Sequence, residues 1–199
     1  MRATPGTRSG EFHYDFIDPR SYVVSHMIDR AGAKESFSWF GLELCPPPAP
    51  MIDSRDSSWR SRHSEALRFA RPLDLPMCEP EFLPWTRKAH ELCEFARERD
   101  RFHAVRRALF RAHFIDGVDI GRIDLLTELA REAGLDRTET RAVLDVDRYE
   151  EAILRSRDSA VDRGIGTVPT VITASGRLDD TGSLRQIQRL LAGGVSNGE

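Results

Sequence analysis

Asp18-Pro19-Arg20-Ser21 stands where an alternating apolar stretch, Phe12 to Ile17, gives way to apolar residues at helical spacing. The alternation of aromatic and β-branched residues predicts a first strand. Aspartate is a good N-cap and proline is tolerated at the first helical position, so the motif predicts the start of a helix. Gly32 predicts the end of that helix, and Ser36 to Leu44 alternates as a second strand before Cys45-Pro46-Pro47-Pro48. The chain therefore opens with a strand, a helix and a strand.

Between about residues 54 and 163, apolar residues recur at helical spacing and no segment alternates convincingly as a strand. The predicted helices span residues 59–71, 85–99, 102–112, 123–133, 136–143 and 147–164. Asp147 and Glu150 have capping-box spacing, which predicts that the last of these helices begins at Asp147. The middle of the chain is thus predicted to be all helical.

The third part of the chain returns to strand. Thr167-Val168-Pro169-Thr170 leads into a predicted strand, Val168 to Thr173, which a turn joins to a hairpin partner. Ser183 is predicted to cap a last helix, Leu184 to Leu191, and Gly193-Gly194 to end it. Two short α/β segments therefore flank a long helical block.

Composition excludes several classes of function. The formal net charge of -3 and the pI near 6.1 provide no field that would attract nucleic acid or an anionic membrane. No segment approaches the roughly 18 apolar residues of a membrane-spanning helix, and the polar stretch Met1 to Gly10 does not resemble a secretory signal. The three cysteines, Cys45, Cys78 and Cys93, form no Cys-x-x-Cys pair. This usage argues against a disulfide framework and predicts a cytoplasmic protein.

Six local strings occur in an order that resembles the DsbA-like superfamily. The resemblance is to its cytoplasmic branch of FrnE-type proteins and 2-hydroxychromene-2-carboxylate isomerases, which also includes kappa-class glutathione transferases. The strings are Tyr14-Asp15-Phe16-Ile17-Asp18-Pro19-Arg20-Ser21-Tyr22, Leu42-Glu43-Leu44, Trp85-Thr86-Arg87-Lys88-Ala89-His90, Ala112-His113-Phe114-Ile115-Asp116-Gly117-Val118-Asp119-Ile120, Gly134-Leu135-Asp136 and Gly164-Ile165-Gly166-Thr167-Val168-Pro169-Thr170. The predicted fold is α/β, thioredoxin-like with an inserted all-helical domain. Residues 11–50 and 165–199 are predicted to form the thioredoxin-like domain and residues 55–160 the insertion.

The resemblance implies a function for the Asp18 motif and also shows where this chain departs from it. Redox-active members have Cys-Pro-x-Cys here, with the first thiolate stabilised by the helix N-terminus. Asp18 and Ser21 occupy the two cysteine positions, so dithiol chemistry through this motif is excluded. In the isomerase and transferase branches, a serine at the first position donates a hydrogen bond to the thiolate of bound glutathione. An ionised Asp18 cannot do so, which leaves Ser21 as the candidate catalytic contact to sulfur.

The opposing interpretation is that Asp18 is only an N-cap, which stabilises the helix by about 1 kcal/mol. The helix dipole and the capping N–H groups predict that its carboxylate stays ionised. Such a charge would repel a thiolate placed beside it.

Pro169 is the second landmark of the resemblance. It implies a cis Val168–Pro169 peptide bond opposite the site helix, where the backbone of the preceding residue pairs with an extended ligand such as glutathione. Pro19, Val168, Pro169 and Thr170 are therefore the predicted ligand-binding residues. The alternative is that Pro169 only shapes a turn in the core.

Other candidate residues carry weaker signals. His90 and Cys93 lie three apart on a helix, but one pair falls short of a structural zinc site, so no metal is expected and Cys93 is predicted to pack in the core. Three tryptophans are predicted to be core or interface residues, with a pocket between the domains as the alternative: Trp39, Trp59 and Trp85. The arginine-rich helices are interpreted as solvated faces.

Two hypotheses about function follow. The first is an enzyme that binds glutathione or another low-molecular-weight thiol between the site helix and the Pro169 loop, with the acceptor substrate under the helical insertion. The second is a binding or scaffold protein that retains the cleft without thiol chemistry. Neither hypothesis requires a cofactor, and each is compatible with a monomer or a homodimer.

Overall fold

Four strands form one mixed sheet in the order β2-β1-β3-β4 in the computed structural model, which describes residues 10–180 and 184–195. The strands are β1 Gly10–Tyr14, β2 Phe37–Gly41, β3 Thr170–Thr173 and β4 Gly176–Asp179. β1 lies parallel to β2 and antiparallel to β3, and β3 pairs antiparallel with β4. Phe12 on β1 is aligned with Trp39 on one side and with Val171 on the other. Strands from the two ends of the chain therefore join in one sheet.

The helices follow the predicted order. They are α1 Pro19–Arg30, α2 Ser57–Ala70, α3 Arg87–Arg97, α4 Phe102–Phe114, α5 Ile123–Glu132, α6 Arg137–Asp145, α7 Glu150–Asp162 and α8 Leu184–Val195. Together with the mixed sheet they confirm the predicted α/β class and the thioredoxin-like fold with helices between its two halves.

Helix α1 begins and ends as its sequence predicts. Asp18 is the N-cap and accepts a hydrogen bond from the backbone N–H of Ser21 at 2.7 Å, and Pro19 occupies the first turn. After the helix, Gly32 takes a φ of 68°, a left-handed conformation that favours glycine. The residues of the motif therefore build the helix start locally, before any tertiary contact is considered.

The sheet and the helical block share one hydrophobic core. The ring of Phe12 packs edge-on against Trp39 with centroids 5.1 Å apart, and Tyr14 lies 5.9 Å from Phe110 of α4. These side chains and the apolar side chains of α3 are almost wholly buried in the same cluster. Because the core is continuous, the division at residues 55 and 160 remains a prediction.

Two predicted helix boundaries are wrong. Helix α7 begins at Glu150 with Tyr149 as its N-cap, because Asp147 adopts a left-handed conformation with φ 53° and its carboxylate pairs with Lys88. Helix α8 continues through Gly193-Gly194, since two glycines weaken a helix without being able to end it. The predicted cap at residue 183 lies outside the described residues.

The interpretation of the arginine-rich helices as solvated faces is wrong for three residues. Arg106 is fully buried, and the side chains of Arg87 and Arg62 are only 10% and 17% exposed. Each is paired with a carboxylate, as a buried guanidinium requires. Periodicity alone could not reveal this, because it reports which face a residue is on and not what packs over it.

Among the described residues, no helix is both long enough and apolar enough to cross a membrane.

Candidate functional site

Asp18 lies at the centre of a buried polar cluster at the N-terminus of α1. Its side chain has no exposure to solvent. One carboxylate oxygen, Oδ2, accepts hydrogen bonds from the backbone N–H and the hydroxyl of Ser21, at 2.7 and 2.5 Å. The other, Oδ1, accepts from Nε of Arg62 at 2.7 Å. The position that the resemblance assigns to a thiol is thus a carboxylate whose two oxygens are both bonded within the protein.

Arg62 comes from α2, in the predicted insertion, and reaches across to both halves of the site. In addition to Asp18, its guanidinium donates from Nη1 to Oδ1 of Asp180 at 2.9 Å. Nη2 donates to the backbone carbonyl of Val168. We refer to Asp18, Arg62, Val168 and Asp180 as the Arg62 clamp. One side chain therefore connects the N-terminus of α1, the Pro169 loop and the end of the β3–β4 hairpin.

Asp180 is held from two directions. Its backbone N–H donates to the carbonyl of Pro169 at 2.9 Å, which ties the end of β4 to the Pro169 loop. Its carboxylate also accepts from Nη1 of Arg20 at 2.5 Å, and Arg20 pairs in turn with Glu65 on α2. The clamp is therefore extended by a second arginine from the Asp18 motif itself.

The Val168–Pro169 peptide bond is cis, as the resemblance implies. The carbonyl of Val168 is occupied by Arg62, so this backbone acceptor is already bonded. Thr170 is fully buried, with its hydroxyl 2.8 Å from the carbonyl oxygen of Thr167 and 2.9 Å from Oδ1 of Asp179. All four predicted ligand-binding residues, Pro19, Val168, Pro169 and Thr170, are buried, and the Val168 carbonyl is part of the clamp.

A second set of polar contacts runs inward from Ser21. The Ser21 oxygen lies 3.4 Å from the backbone nitrogen of Asp15, which donates to it. The Asp15 carboxylate accepts from the N–H of Leu44 at 2.7 Å and lies 3.2 Å from Nε2 of His90. Because a Cβ at Gly41 would collide with the His90 ring, this imidazole is closely packed. The only hydrogen of the Ser21 hydroxyl is donated to the clamp.

Burial and charge act in opposite directions on the clamp. Burial raises the pKa of Asp18 above its ordinary value, although Arg62 and the Ser21 hydrogen bonds lower it. Burial by itself lowers the pKa of Arg62. The carboxylates of Asp18 and Asp180 together raise it by more, so the pKa lies above its ordinary value. Reasoning from the helix dipole alone predicted only the stabilisation of the Asp18 charge, because it did not include the loss of hydration.

A polar cavity of about 280 Å³ opens beside the clamp. Its lining residues come from α1, α2 and the end of β4: Arg20, Ser58, Trp59, Ser61, Arg62, Glu65 and Asp180. The Glu65 and Asp180 side chains are 36% and 41% exposed, whereas the two arginines are mostly buried. The cavity therefore presents charges of both signs to a small molecule.

Asp18, Ser21 and the Pro169 loop lie in one region, as predicted, but the residues that join them were not predicted. The missed residues are Arg62, Asp180, Glu65 and the side chain of Arg20. Only Arg20 carried a signal, because it stands inside the motif. Arg62 lies 44 positions from Asp18, and three other arginines fall within residues 60–71, so nothing in the spacing distinguishes it.

The remaining candidates include core residues and one residue at the polar cavity. Cys93 is buried in the core, which confirms the prediction for it, and among residues 10–180 and 184–195 no three potential ligands are grouped around a metal position. Trp39 is a core residue, whereas Trp85 is 40% exposed and donates its N–H to the carbonyl of Ala49. Trp59 lines the polar cavity, so one of the three tryptophans lies at a pocket near the site.

Comparisons with known proteins agree with this fold. Among curated proteins, the uncharacterized protein YwbO of Bacillus subtilis (strain 168) is 29% identical over 167 residues, which are 79% of this chain and 82% of that protein. The crystal structure of the probable DsbA oxidoreductase SCO1869 from Streptomyces coelicolor superposes with a TM-score of 0.76 at 20% identity, covering 96% of this chain and 91% of that one. A 2-hydroxychromene-2-carboxylate isomerase structure superposes with a TM-score of 0.75 at 15% identity, covering 92% and 94%.

At these identities, the likeness to the solved structures shows the fold. The sequence match reaches further, because a model of the DSBA-like thioredoxin domain matches residues 11–192 and so includes both the Asp18 motif and the Pro169 loop. The chain belongs to the family of DSBA-like thioredoxin domains.

Proposed function

We propose that this chain is a non-redox, ligand-binding member of its family, which holds a small zwitterionic, peptide-like molecule in the polar cavity beside the Arg62 clamp. The observation that carries the proposal is the position of the Arg62 guanidinium. It bonds to Asp18, which stands where the resemblance implies a thiol. It also bonds to the carbonyl of Val168, where the resemblance implies pairing with the backbone of a thiol ligand.

The polar groups that thiol chemistry would need are already bonded. Ser21 donates its only hydroxyl hydrogen to Asp18 at 2.5 Å and accepts from the backbone of Asp15. A hydroxyl used in this way has no hydrogen left for a thiolate. Asp18 itself would repel a thiolate when charged. These contacts favour binding over catalysis at residues 18–21.

The cavity supports the choice of ligand class. Arg20 and Arg62 offer N–H donors, while Glu65 and Asp180 retain exposed carboxylate oxygens. A molecule with only one sign of charge would meet like charge on part of the wall, and like charges at close range are repulsive. A molecule with a carboxylate at one end and an ammonium group at the other is complementary to both pairs, and glutathione is a suitable probe of that class.

The second candidate is a glutathione-dependent isomerase or transferase, of the kind found in the 2-hydroxychromene-2-carboxylate isomerase branch. The observation that favours it is the position of Ser21, one turn inside the helix that bears the family's thiol site. This activity requires Arg62 to leave the Val168 carbonyl. Membership of that branch, a cytoplasmic location and a homodimer remain predictions.

The experiment compares reduced glutathione with S-methylglutathione, which keeps the two carboxylates and the ammonium group but has no thiol. We expect both compounds to raise the melting temperature of the wild type equally, since a ligand that binds only the native state stabilises by RT ln(1 + [L]/Kd). Arg20→Gln is expected to abolish both shifts, and Arg155→Gln, on an exposed face of α7, is the matched control. The wild type is also expected not to reduce insulin above a buffer control.

Asp18→Ser separates the two candidates further. Serine also caps helices well, so the helix is expected to be retained while a hydroxyl replaces the repelling carboxylate. In this variant, we expect reduced glutathione to bind more tightly than its S-methyl analogue. A wild type that already prefers the thiol would support the enzyme, and a wild type that responds to neither compound at millimolar concentration would contradict the proposed ligand class.

A further inference from the structure

Two guanidinium groups converge on one carboxylate oxygen in the wall of the polar cavity. Nη1 of Arg20, in the first turn of α1, donates to Oδ1 of Asp180 at 2.5 Å. Nη1 of Arg62, from α2, donates to the same oxygen at 2.9 Å. We refer to these two donors as the arginine fork. Two guanidinium groups aimed at one point form a binding position for a carboxylate, because their hydrogen bonds to it are charge-assisted.

Asp180 is the member of this group that solvent reaches most easily. Its side chain is 41% exposed, whereas those of Arg20 and Arg62 are 12% and 17% exposed. Its Oδ2 has no partner among the described residues. A carboxylate in this position can leave the fork by rotation about its own side-chain bonds, without repacking of the core. The arginines are held in place, because Arg20 is also bound to Glu65 and Arg62 to Asp18.

The charges around the fork show which carboxylate can be replaced. The two arginines pair with three carboxylates, those of Asp18, Glu65 and Asp180. Asp18 is fully buried and Glu65 is bound to Arg20, and these two acids already balance the two positive charges. Asp180 therefore adds a surplus negative charge, which the other two acids repel. A ligand carboxylate that replaces it at the fork leaves the local charge unchanged.

We propose that Asp180 is an internal latch on a carboxylate-binding subsite: it occupies the arginine fork in the free protein, and the carboxylate of a ligand in the cavity takes its place. The displaced Asp180 side chain stays at the cavity wall, where its charge pairs with an ammonium group of the same ligand. This exchange rests on the zwitterionic ligand proposed above. It adds that the affinity is reduced according to the fraction of molecules in which the fork is free.

The test compares S-methylglutathione with glutaryl-S-methylcysteinylglycine, the same molecule without its ammonium group, by the shift in melting temperature at constant ionic strength. Asp180→Asn removes the charge of the latch, and asparagine tolerates the left-handed backbone at this position, with φ 41°. We expect this variant to bind the ammonium-free analogue about tenfold more tightly than the wild type, as for a fork that is free in about one molecule in ten. Asp180→Gly, which also suits a positive φ, should show the same gain.

The preference for the ammonium group is the second readout. The wild type should bind S-methylglutathione about tenfold more tightly than the analogue, because the released Asp180 gains a charge-assisted partner. Asp180→Asn should lose most of this preference. Adding Arg20→Gln to that variant should abolish its gain, since the fork then has one donor group. The control is Asp145→Asn, an aspartate of matched exposure, 43%, that pairs with Arg141 on its own helix and should bind both compounds as the wild type does.

The outcomes separate the latch from the proposed function. If the wild type binds S-methylglutathione and Asp180→Asn gains no affinity for the analogue, the latch is overturned and the zwitterion site stands. If the wild type binds neither compound but Asp180→Asn binds the analogue, the latch is supported and the ligand class proposed for the wild type is contradicted. If neither protein binds either compound, both proposals are overturned. A gain that survives Arg20→Gln would also overturn the latch, because the carboxylate would then be held elsewhere.

Discussion

Helix α1 is held near each end by an arginine from the helical block, and the two arginines have different surroundings. Arg106 of α4 binds both oxygens of Asp29, lies 4.1 Å above the Trp39 ring and is fully buried. Arg62 of α2 binds one oxygen of Asp18 together with a backbone carbonyl and a half-exposed carboxylate. Arg62 lines the polar cavity, whereas Arg106 is enclosed in the core.

The difference separates a structural ion pair from a site. Arg106 is surrounded by the core, and its loss would leave a cavity and would deprive the mostly buried Asp29 carboxylate, 20% exposed, of its partner. Arg62 instead connects, within reach of solvent, the N-terminus of α1 and the Pro169 loop, the two positions that the resemblance marks as a site. Both arginines pair with an aspartate near an end of α1, Arg106 with Asp29 and Arg62 with Asp18. Their roles differ because different groups surround the two guanidinium groups.

The largest expected effect is that of Arg106→Met. Removing one partner of a buried pair leaves the other uncompensated, so we expect a loss of about 4 kcal/mol in the free energy of unfolding. Urea denaturation measures it, with Arg155→Met as the control. That exposed arginine pairs only with Glu151 on its own helix and should change stability by less than about 0.5 kcal/mol. Equal losses in the two variants would contradict a structural role for Arg106.

His113 is a buried histidine without a carboxylate partner among the described residues, so we expect it to stay neutral in the folded protein. It shares the buried face of α4 with Arg106, and Nε2 of its ring has no partner in the described chain. Burial, more than the nearby His63, lowers the pKa of His113 to about 4 from an ordinary value of 6.5. Between these values the unfolded chain binds a proton that the folded protein does not. Stability should therefore fall as the pH is lowered from about 6.5 to about 4.

The contribution of His113 over this window is about 3 kcal/mol, from the difference between its two pKa values. His113→Asn should lose less stability than the wild type on acidification by about that amount, measured by urea denaturation at several pH values. Parallel pH profiles for the two proteins would show that His113 is not held neutral by burial.

The smallest of the three effects is expected for Arg62→Met, a loss of about 2 kcal/mol at neutral pH, because Asp180 is half-exposed and Asp18 keeps its hydrogen bonds to Ser21. Burial raises the pKa of Asp18, so its charge destabilises the fold once the pH exceeds about 4. The deficit of the variant should therefore be smaller in acid than at neutral pH. Adding Asp18→Asn should remove this pH dependence, and an unchanged deficit at both pH values would contradict the clamp.

Part of the site could be predicted from its residues. Asp18 and Pro19 start a helix through local backbone chemistry, and the Pro169 loop lies opposite that start because adjacent strands carry both. At Asp147, by contrast, the local sequence pattern predicts the wrong helix start. It has the spacing of a helix cap, yet its carboxylate is bound by Lys88, which lies 59 positions away, and the helix begins three residues later.

The sequence by itself determined the order of strands and helices, the capped start of α1 and the absence of a cysteine pair at residues 18 and 21, because these depend on periodicity, local hydrogen bonding and residue identity. Only the tertiary structure decided that Arg62 fills the site, that Asp180 closes it and that Ser21 gives its hydrogen to Asp18. The physical reason is that pairing between side chains distant in sequence depends on how α2 packs across α1. An arginine that will be buried carries the same signal in the sequence as one that remains in water.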